Sequence, residues 1–248
     1  MLLDLPRSVL LALWIASHDP VRAVAAVQGD DEPHTVVEED GEPTTLARWL
    51  AALGAAEAVA GLLPVPGDAL GVPAAVSGAA VEAGEAVLVH TGAAGLALVP
   101  EVRRFGSELE PGHLVAWHVT PVPDWRLALQ GRLGTLGDAE RELRQGLVTA
   151  TEALQRLDVA RWRPDAAAMI GAVPRLELPT SRLPRDLDGR RARTLTSAAR
   201  LRTIVSLAVE DDGGAVNLWQ ADQRTAALRD VDRVARAALC AAATTLQG

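Results

Sequence analysis

The chain has 248 residues, 49% of them apolar and 23% charged, and a net charge of −8 at neutral pH. That length encloses one large core or two smaller ones, in the balance of an ordinary soluble protein. All 24 basic residues are Arg, and without Lys there is no Schiff-base chemistry, no Walker phosphate loop and no kinase strand lysine. The single Cys240 excludes an intramolecular disulfide and a cysteine-rich metal site. Tyr is absent and Asn217 and Phe105 are each the only one of their type, which marks a GC-rich coding sequence. Residues 1–125 carry 5 Arg against 17 acidic residues, and residues 126–248 carry 19 against 15. An acidic half joined to a mildly basic one points to mutual attraction or to separate partners.

Residues 5–17 have helical spacing, with Val9, Leu10, Leu13 and Trp14 on one side and Pro6 suited to a first turn. The apolar run 9–16 is too short to span a membrane and follows Asp4 and Pro6 rather than a basic stretch. No signal peptide is expected, and the protein reads as cytoplasmic. Asp19-Pro20 starts a second helix, with Asp19 as its cap, that ends near Gln28-Gly29. This pair is not a DNA reader, because only Arg22 is basic and Asp30-Asp31-Glu32 follows. Residues 34–38 predict a strand, and Thr44 or Thr45 caps a helix with Leu46, Trp49, Leu50 and Leu53 on one face. Further strands are predicted at 57–63, 86–90, 95–100 and 114–120, with a loop over 64–75. Their turn-length spacing predicts antiparallel pairing.

Pro121-Val122-Pro123-Asp124 reads as a boundary between an acidic α+β domain over 1–122 and a mainly helical domain over 123–248. Leu136, Ala139, Leu143, Leu147, Ala150, Leu154 and Leu157 step by three or four, which predicts a helix over 136–157. Asp138 would cap it, and Glu140 would pair with Arg144 one turn on. Residues 158–188 hold four prolines and read as loop, apart from a short helix near 165–171. Two further helices, about 190–210 and 215–246, meet at the acidic corner Glu210-Asp211-Asp212-Gly213-Gly214. A positive φ at Gly213 or Gly214 would end the first, and the reversal would bring Val205 and Ala208 near Leu228 or Val231. The expected fold class is therefore α+β: a small mixed or antiparallel N-terminal sheet with helices, then a C-terminal antiparallel helical bundle.

Three constellations carry possible chemistry. Asp30, Asp31, Glu32 and His34 are hard-cation or zinc ligands by type, although Pro33 and the alternation of extended chain set them poorly for one site. At the corner, Glu210, Asp211 and Asp212 stand near Asn217, Trp219, Gln220 and Arg224, a polar cluster suited to a ligand or partner. Arg182, Arg185, Arg190, Arg191, Arg193, Arg200 and Arg202 form a run whose forks suit phosphate or carboxylate, with no aromatic interleaved for base stacking. His113 and His118 are five apart and face opposite sides of a strand, so they cannot share a metal.

The strings LPRSVLLALW at the start, AVQGDDEPH at 25–34, GLALVPEV at 95–102, DVARWRPDAA at 158–167 and EDDGGAVNLWQADQRTAALRD at 210–230 together resemble a group of uncharacterised proteins from high-GC actinobacteria. The resemblance covers most of the chain, agrees with a cytoplasmic bacterial origin, and brings no activity, ligand or site with it. The reading the residues favour is a non-enzymatic interaction or accessory protein, without cofactor, acting on a protein partner or a second copy through its helical C-terminal half. The alternatives are a metal-assisted enzyme using the acidic loop or the corner, and nucleic-acid binding through 182–202.

Overall fold

The computed structural model describes residues 3–39, 41–107, 110–156, 164–209 and 218–246, and side chains in all of these except 149–156, 164–167 and 218–224. The first helices start where their capping residues put them. Pro6 precedes α1 (Arg7–Ser17), and the Glu85 carboxylate accepts the Ser8 amide at 2.7 Å, satisfying an N-terminal donor. Asp19 caps α2 (Pro20–Gln28) by accepting the Arg22 amide, and Thr45 caps α3 (Leu46–Leu53) by accepting that of Arg48.

Seven strands form one sheet in the order β2-β1-β6-β5-β4-β3-β7. They are β1 (Thr35–Glu38), β2 (Thr44–Thr45), β3 (Ala58–Leu62), β4 (Ala86–Thr91), β5 (Ala94–Gly106), β6 (Pro111–Val122) and β7 (Thr244–Leu246). β3 through β6 run antiparallel to their neighbours, whereas β1 joins β6 in parallel with Thr35 opposite Ala116. β7 lies antiparallel on the other edge, with Val59 opposite Thr245. Two helices complete this part, α4 (Ala74–Ala83) against β5 and α5 (Arg126–Leu133) after β6.

This sheet overturns the expected fold class. The architecture is mixed α/β around a seven-stranded sheet, not a small N-terminal sheet followed by a separate C-terminal bundle. Turn-length spacing correctly implies hairpins for β4-β5-β6, but β1 lies parallel to a strand some eighty residues later, which local spacing does not reveal. The last strand is hidden in the sequence because Leu246, four residues after Ala242, continues the apolar stripe of the helix before it.

Two compact units result. The sheet unit comprises Leu5–Gly134, Thr180–Asp188 and Ala243–Gly248; the helical unit comprises Met1–Asp4, Thr135–Pro179 and Gly189–Ala242. In the sheet unit, β3 and β4 are buried almost throughout, which explains their unbroken apolar sequence. α1 rests directly on β3 at Gly61, where a Cβ would stand 2.7 Å from the Ser8 carbonyl oxygen and 3.1 Å from the Ala12 Cβ. Trp117 is wholly buried, as are Leu10, Leu11, Leu62 and Leu98.

The helical unit holds α6 (Leu136–Arg156), α7 (Pro164–Ala172), α8 (Gly189–Val209) and α9 (Leu218–Ala242). The cap of α6 is Thr135 rather than Asp138. The Thr135 hydroxyl accepts the Asp138 amide at 3.2 Å while the Asp138 carboxylate accepts the Thr135 amide at 3.1 Å, a reciprocal capping box. The Thr135 hydroxyl and amide hold the Asp138 carboxyl down to about 2. α9 packs against both α8 and α6. Arg191 donates to the Ala242 carbonyl at 2.8 Å and Arg202 meets Asp232 at 3.3 Å, so α8 and α9 run antiparallel. In that register Val205 comes level with Leu228, and both are buried. The corner between these helices, with its expected positive φ at Gly213 or Gly214, lies outside the described residues. No helix among the described residues is long and apolar enough to cross a membrane.

Candidate functional site

Asp31 is the hub of the acidic loop. After α2 the chain turns at Gly29, with φ of 56°, and delivers Asp31 beneath Arg7 of α1. The guanidinium holds both carboxylate oxygens, Nε to Oδ2 at 2.6 Å and Nη2 to Oδ1 at 3.0 Å. His34 Nε2 lies 3.2 Å from Oδ2, and His113 Nδ1 of β6 lies 3.2 Å from Oδ1. The indole N–H of Trp117 donates to His34 Nδ1 at 3.2 Å. That bond requires an unprotonated Nδ1, so the neutral imidazole carries its proton on Nε2 and donates it to Asp31. Burial works to raise the Asp31 pKa, but Arg7 and His34 outweigh it and the carboxyl sits below its ordinary value of 3.8. Burial of His34 pushes the imidazole below 6.5, against the pull of Asp31.

Of the four residues read as possible metal ligands, the structure brings together Asp31 and His34 and leaves Asp30 and Glu32 exposed on the surface. Asp31 is occupied by a cation from the chain itself, and both His34 nitrogens are engaged. Among the described residues no group of three acidic, His or Cys side chains is placed to hold a metal. The arrangement is a pinned turn that ties α1, the loop and β6 together, and it makes a pH prediction. The unfolded chain protonates His34 first, so stability is full above about pH 6.5 and falls as pH drops through it. Asp31 adds a further loss as pH falls below 3.8 towards its depressed folded value. Unfolding free energies from urea titrations between about pH 7.5 and 5.5 should fall by at most about 1.4 kcal/mol per pH unit for this one proton, and the His34→Asn variant should lose that dependence.

A second polar group sits at the end of β4. His90 Nδ1 stands 3.4 Å from Glu57 Oε2 and Nε2 stands 4.0 Å from Asp124 Oδ2, while Arg126 spans both carboxylates at 3.5 and 2.8 Å. His90 Nδ1 is buried and has no aligned hydrogen-bond partner among the described residues. Arg126 holds the Asp124 carboxyl well below the usual range.

Most of the Arg run is engaged inside the chain. Arg182 donates to the carbonyls of Ala26 and Val27, Arg200 to that of Leu176, Arg191 to that of Ala242, and Arg202 to Asp232. Arg190 forms a two-pronged pair with Glu140, at 2.9 and 2.8 Å, which holds the Glu140 carboxyl low. Glu140 is thereby diverted from Arg144, whose Nε donates instead to the Glu140 carbonyl at 3.3 Å. The corner residues Glu210, Asp211, Asp212 and Asn217 lie outside the described residues, as do the side chains of Trp219, Gln220 and Arg224.

The helical unit offers a groove of about 230 Å³ between α6 and α8. Leu143 and Leu201, both buried, form its floor, and Leu147, half exposed, stands on its rim. Arg144 and Arg193 are exposed on its walls; Arg144 lies close enough to help hold the Glu140 carboxyl low, and Arg193 forms no ion pair among the described residues. The Thr194 hydroxyl donates to Glu140 at 3.2 Å and closes the polar end. This groove was not legible as a site in the sequence, because Leu143 and Leu147 read as core stripe and Arg193 as one of seven clustered arginines. Four-residue spacing on α8, Arg193, Ser197 and Leu201, was the available signal.

Comparison with known proteins places these two parts in one family. No curated protein and no solved structure matches the chain. The N-terminal domain of the Rv1486c-like proteins matches residues 8–132, and their C-terminal domain matches residues 137–240. The match carries the actinobacterial resemblance to a family named for a mycobacterial protein, and the chain belongs to the Rv1486c-like protein family.

Proposed function

We propose that the protein is a cytoplasmic, non-enzymatic interaction protein that engages a protein partner through its helical unit. The observation that carries this reading is the α6–α8 groove, an apolar floor with Leu147, 50% exposed, in its lining and Val148, 52% exposed, at the next position of α6. Side chains of this size at the edge of a groove lose contact with water when a partner covers them, at about 25 cal/mol per Å² of apolar area. The lone cysteine, buried at position 240, fits a reducing compartment.

The test compares the wild-type chain with Leu147→Asp/Val148→Asp in pull-downs from the native organism, alongside size-exclusion light scattering. Both positions are exposed, so the double variant should keep its melting behaviour within about 0.5 kcal/mol per site. The wild type should retain a reproducible, stoichiometric partner that the variant loses. A strict monomer with no such partner, or a partner held equally by both, contradicts the reading.

A further inference from the structure

Resting on that interaction reading, we infer that the α6–α8 groove receives an acidic amphipathic helix of a partner protein. The shape comes first. Its lining on α6 is Glu140, Leu143, Arg144 and Leu147, spaced by three, one and three; on α8 it is Arg193, Ser197 and Leu201, spaced by four, with Thr194 beside the first. Each helix therefore contributes two turns of one face, a trough about 10 Å long between parallel ridges. A third helix, laying residues at i, i+3, i+4 and i+7 into it, is the element whose surface repeats with that geometry. Leu143 and Leu201 at the bottom and Leu147 at the lip ask for apolar side chains along that stripe.

Charge then selects the partner. Among the described residues Glu140 is the one acid lining the groove, and its charge is paired by the two-pronged contact with Arg190, with the Thr194 hydroxyl donating to it as well. Arg144 and Arg193 are exposed, one on each helix; Arg144 adds its charge to that of Arg190 beside Glu140, and Arg193 forms no ion pair among the described residues, so the lining carries more positive than negative charge. The groove is thus cationic on both sides in a chain whose net charge is −8. A helix with Asp or Glu flanking its apolar stripe places one carboxylate against each guanidinium, while a basic helix meets repulsion on both walls. Two rim pairs of this kind add modest affinity and substantial discrimination between partners of opposite charge.

The experiment uses the full chain and two synthetic amphipathic peptides of about 20 residues, long enough to hold a helix. Both carry Leu at helical spacing; one has Glu on its flanks and the other Arg. Fluorescence anisotropy should show the acidic peptide binding at least tenfold more tightly than the basic one, with affinity falling as salt rises. Arg144→Glu/Arg193→Glu should invert that preference, and Arg144→Gln/Arg193→Gln should abolish it, each with an unchanged thermal melt. Equal binding of the two peptides, or no binding of either, overturns the inference. So does light scattering that shows a dimer dispersed by the charge reversal, since the occupant is then a second copy. A partner lost on Leu147→Asp/Val148→Asp together with peptide failure leaves the interaction reading standing and removes only the acidic helix.

Discussion

Replacing Asp31 with Ala is expected to destabilise the protein by roughly 3 kcal/mol, because it breaks a buried pair by removing one partner. The Asp31 side chain is only 10% exposed and accepts from Arg7 twice and from His34 once. Without it Arg7 keeps a partly buried charge, and the His34 Nε2–H, wholly buried, has no acceptor. Asp31→Asn keeps the shape and one acceptor oxygen, and should cost less. Asp30→Ala and Glu32→Ala, both exposed neighbours, should fall within about 0.5 kcal/mol of wild type. Urea denaturation at neutral pH reads all four. A cost below about 1 kcal/mol for Asp31→Ala would show that water replaces the carboxylate, and the pinned turn would lose its place in the account.

Gly61→Val is expected to cost about 3 kcal/mol, the upper range for overpacking. Valine suits a strand better than glycine by up to about 1 kcal/mol, which opposes the loss. Sterics win here because the first atoms met are backbone: a Cβ would lie 2.7 Å from the Ser8 carbonyl oxygen and 3.0 Å from the Val9 Cα. No rotamer change relieves that contact, so α1 must lift from β3. Gly61→Ala should cost less but remain destabilising. Gly78, in α4 with open space around it, is the contrasting case, and Gly78→Ala should stabilise by up to about 1 kcal/mol through helix propensity. Thermal melts of the three variants decide the matter, and a neutral Gly61→Val would mean that α1 does not rest on β3 as described.

The local parts of this fold were legible in the sequence. Asp19 and Thr45 cap their helices, and His113 and His118 face opposite sides of β6, one towards Asp31 and the other towards Glu101. Leu143 lies buried on the helix whose three-four spacing announced it. What failed was non-local. The parallel pairing of β1 with β6 and the return of β7 to the sheet edge join residues some eighty and nearly two hundred positions apart. Nothing in a hydrophobic period encodes which strand will be the neighbour. α4 carries no helical signal either, since Gly78 and the alanines around it give no polar face to set off the apolar one. The polar clusters follow the same rule. Asp31 and His34 are close in sequence, but Arg7, His113 and Trp117 reach them from 24, 82 and, for Trp117 to His34, 83 residues away. The Glu140–Arg144 pair that helical spacing implies gives way to Arg190, which offers both oxygens a planar fork from the facing helix.

Hydrogen exchange on the full chain, with and without the acidic amphipathic peptide, tests the central claim most directly, because it reports where the partner lies. Binding in the α6–α8 groove predicts slowed exchange confined to segments 140–147 and 193–201, with the 29–34 loop and the β5–β6 hairpin unchanged. Protection centred on the sheet unit, or none in those two helical segments at saturating peptide, would contradict it.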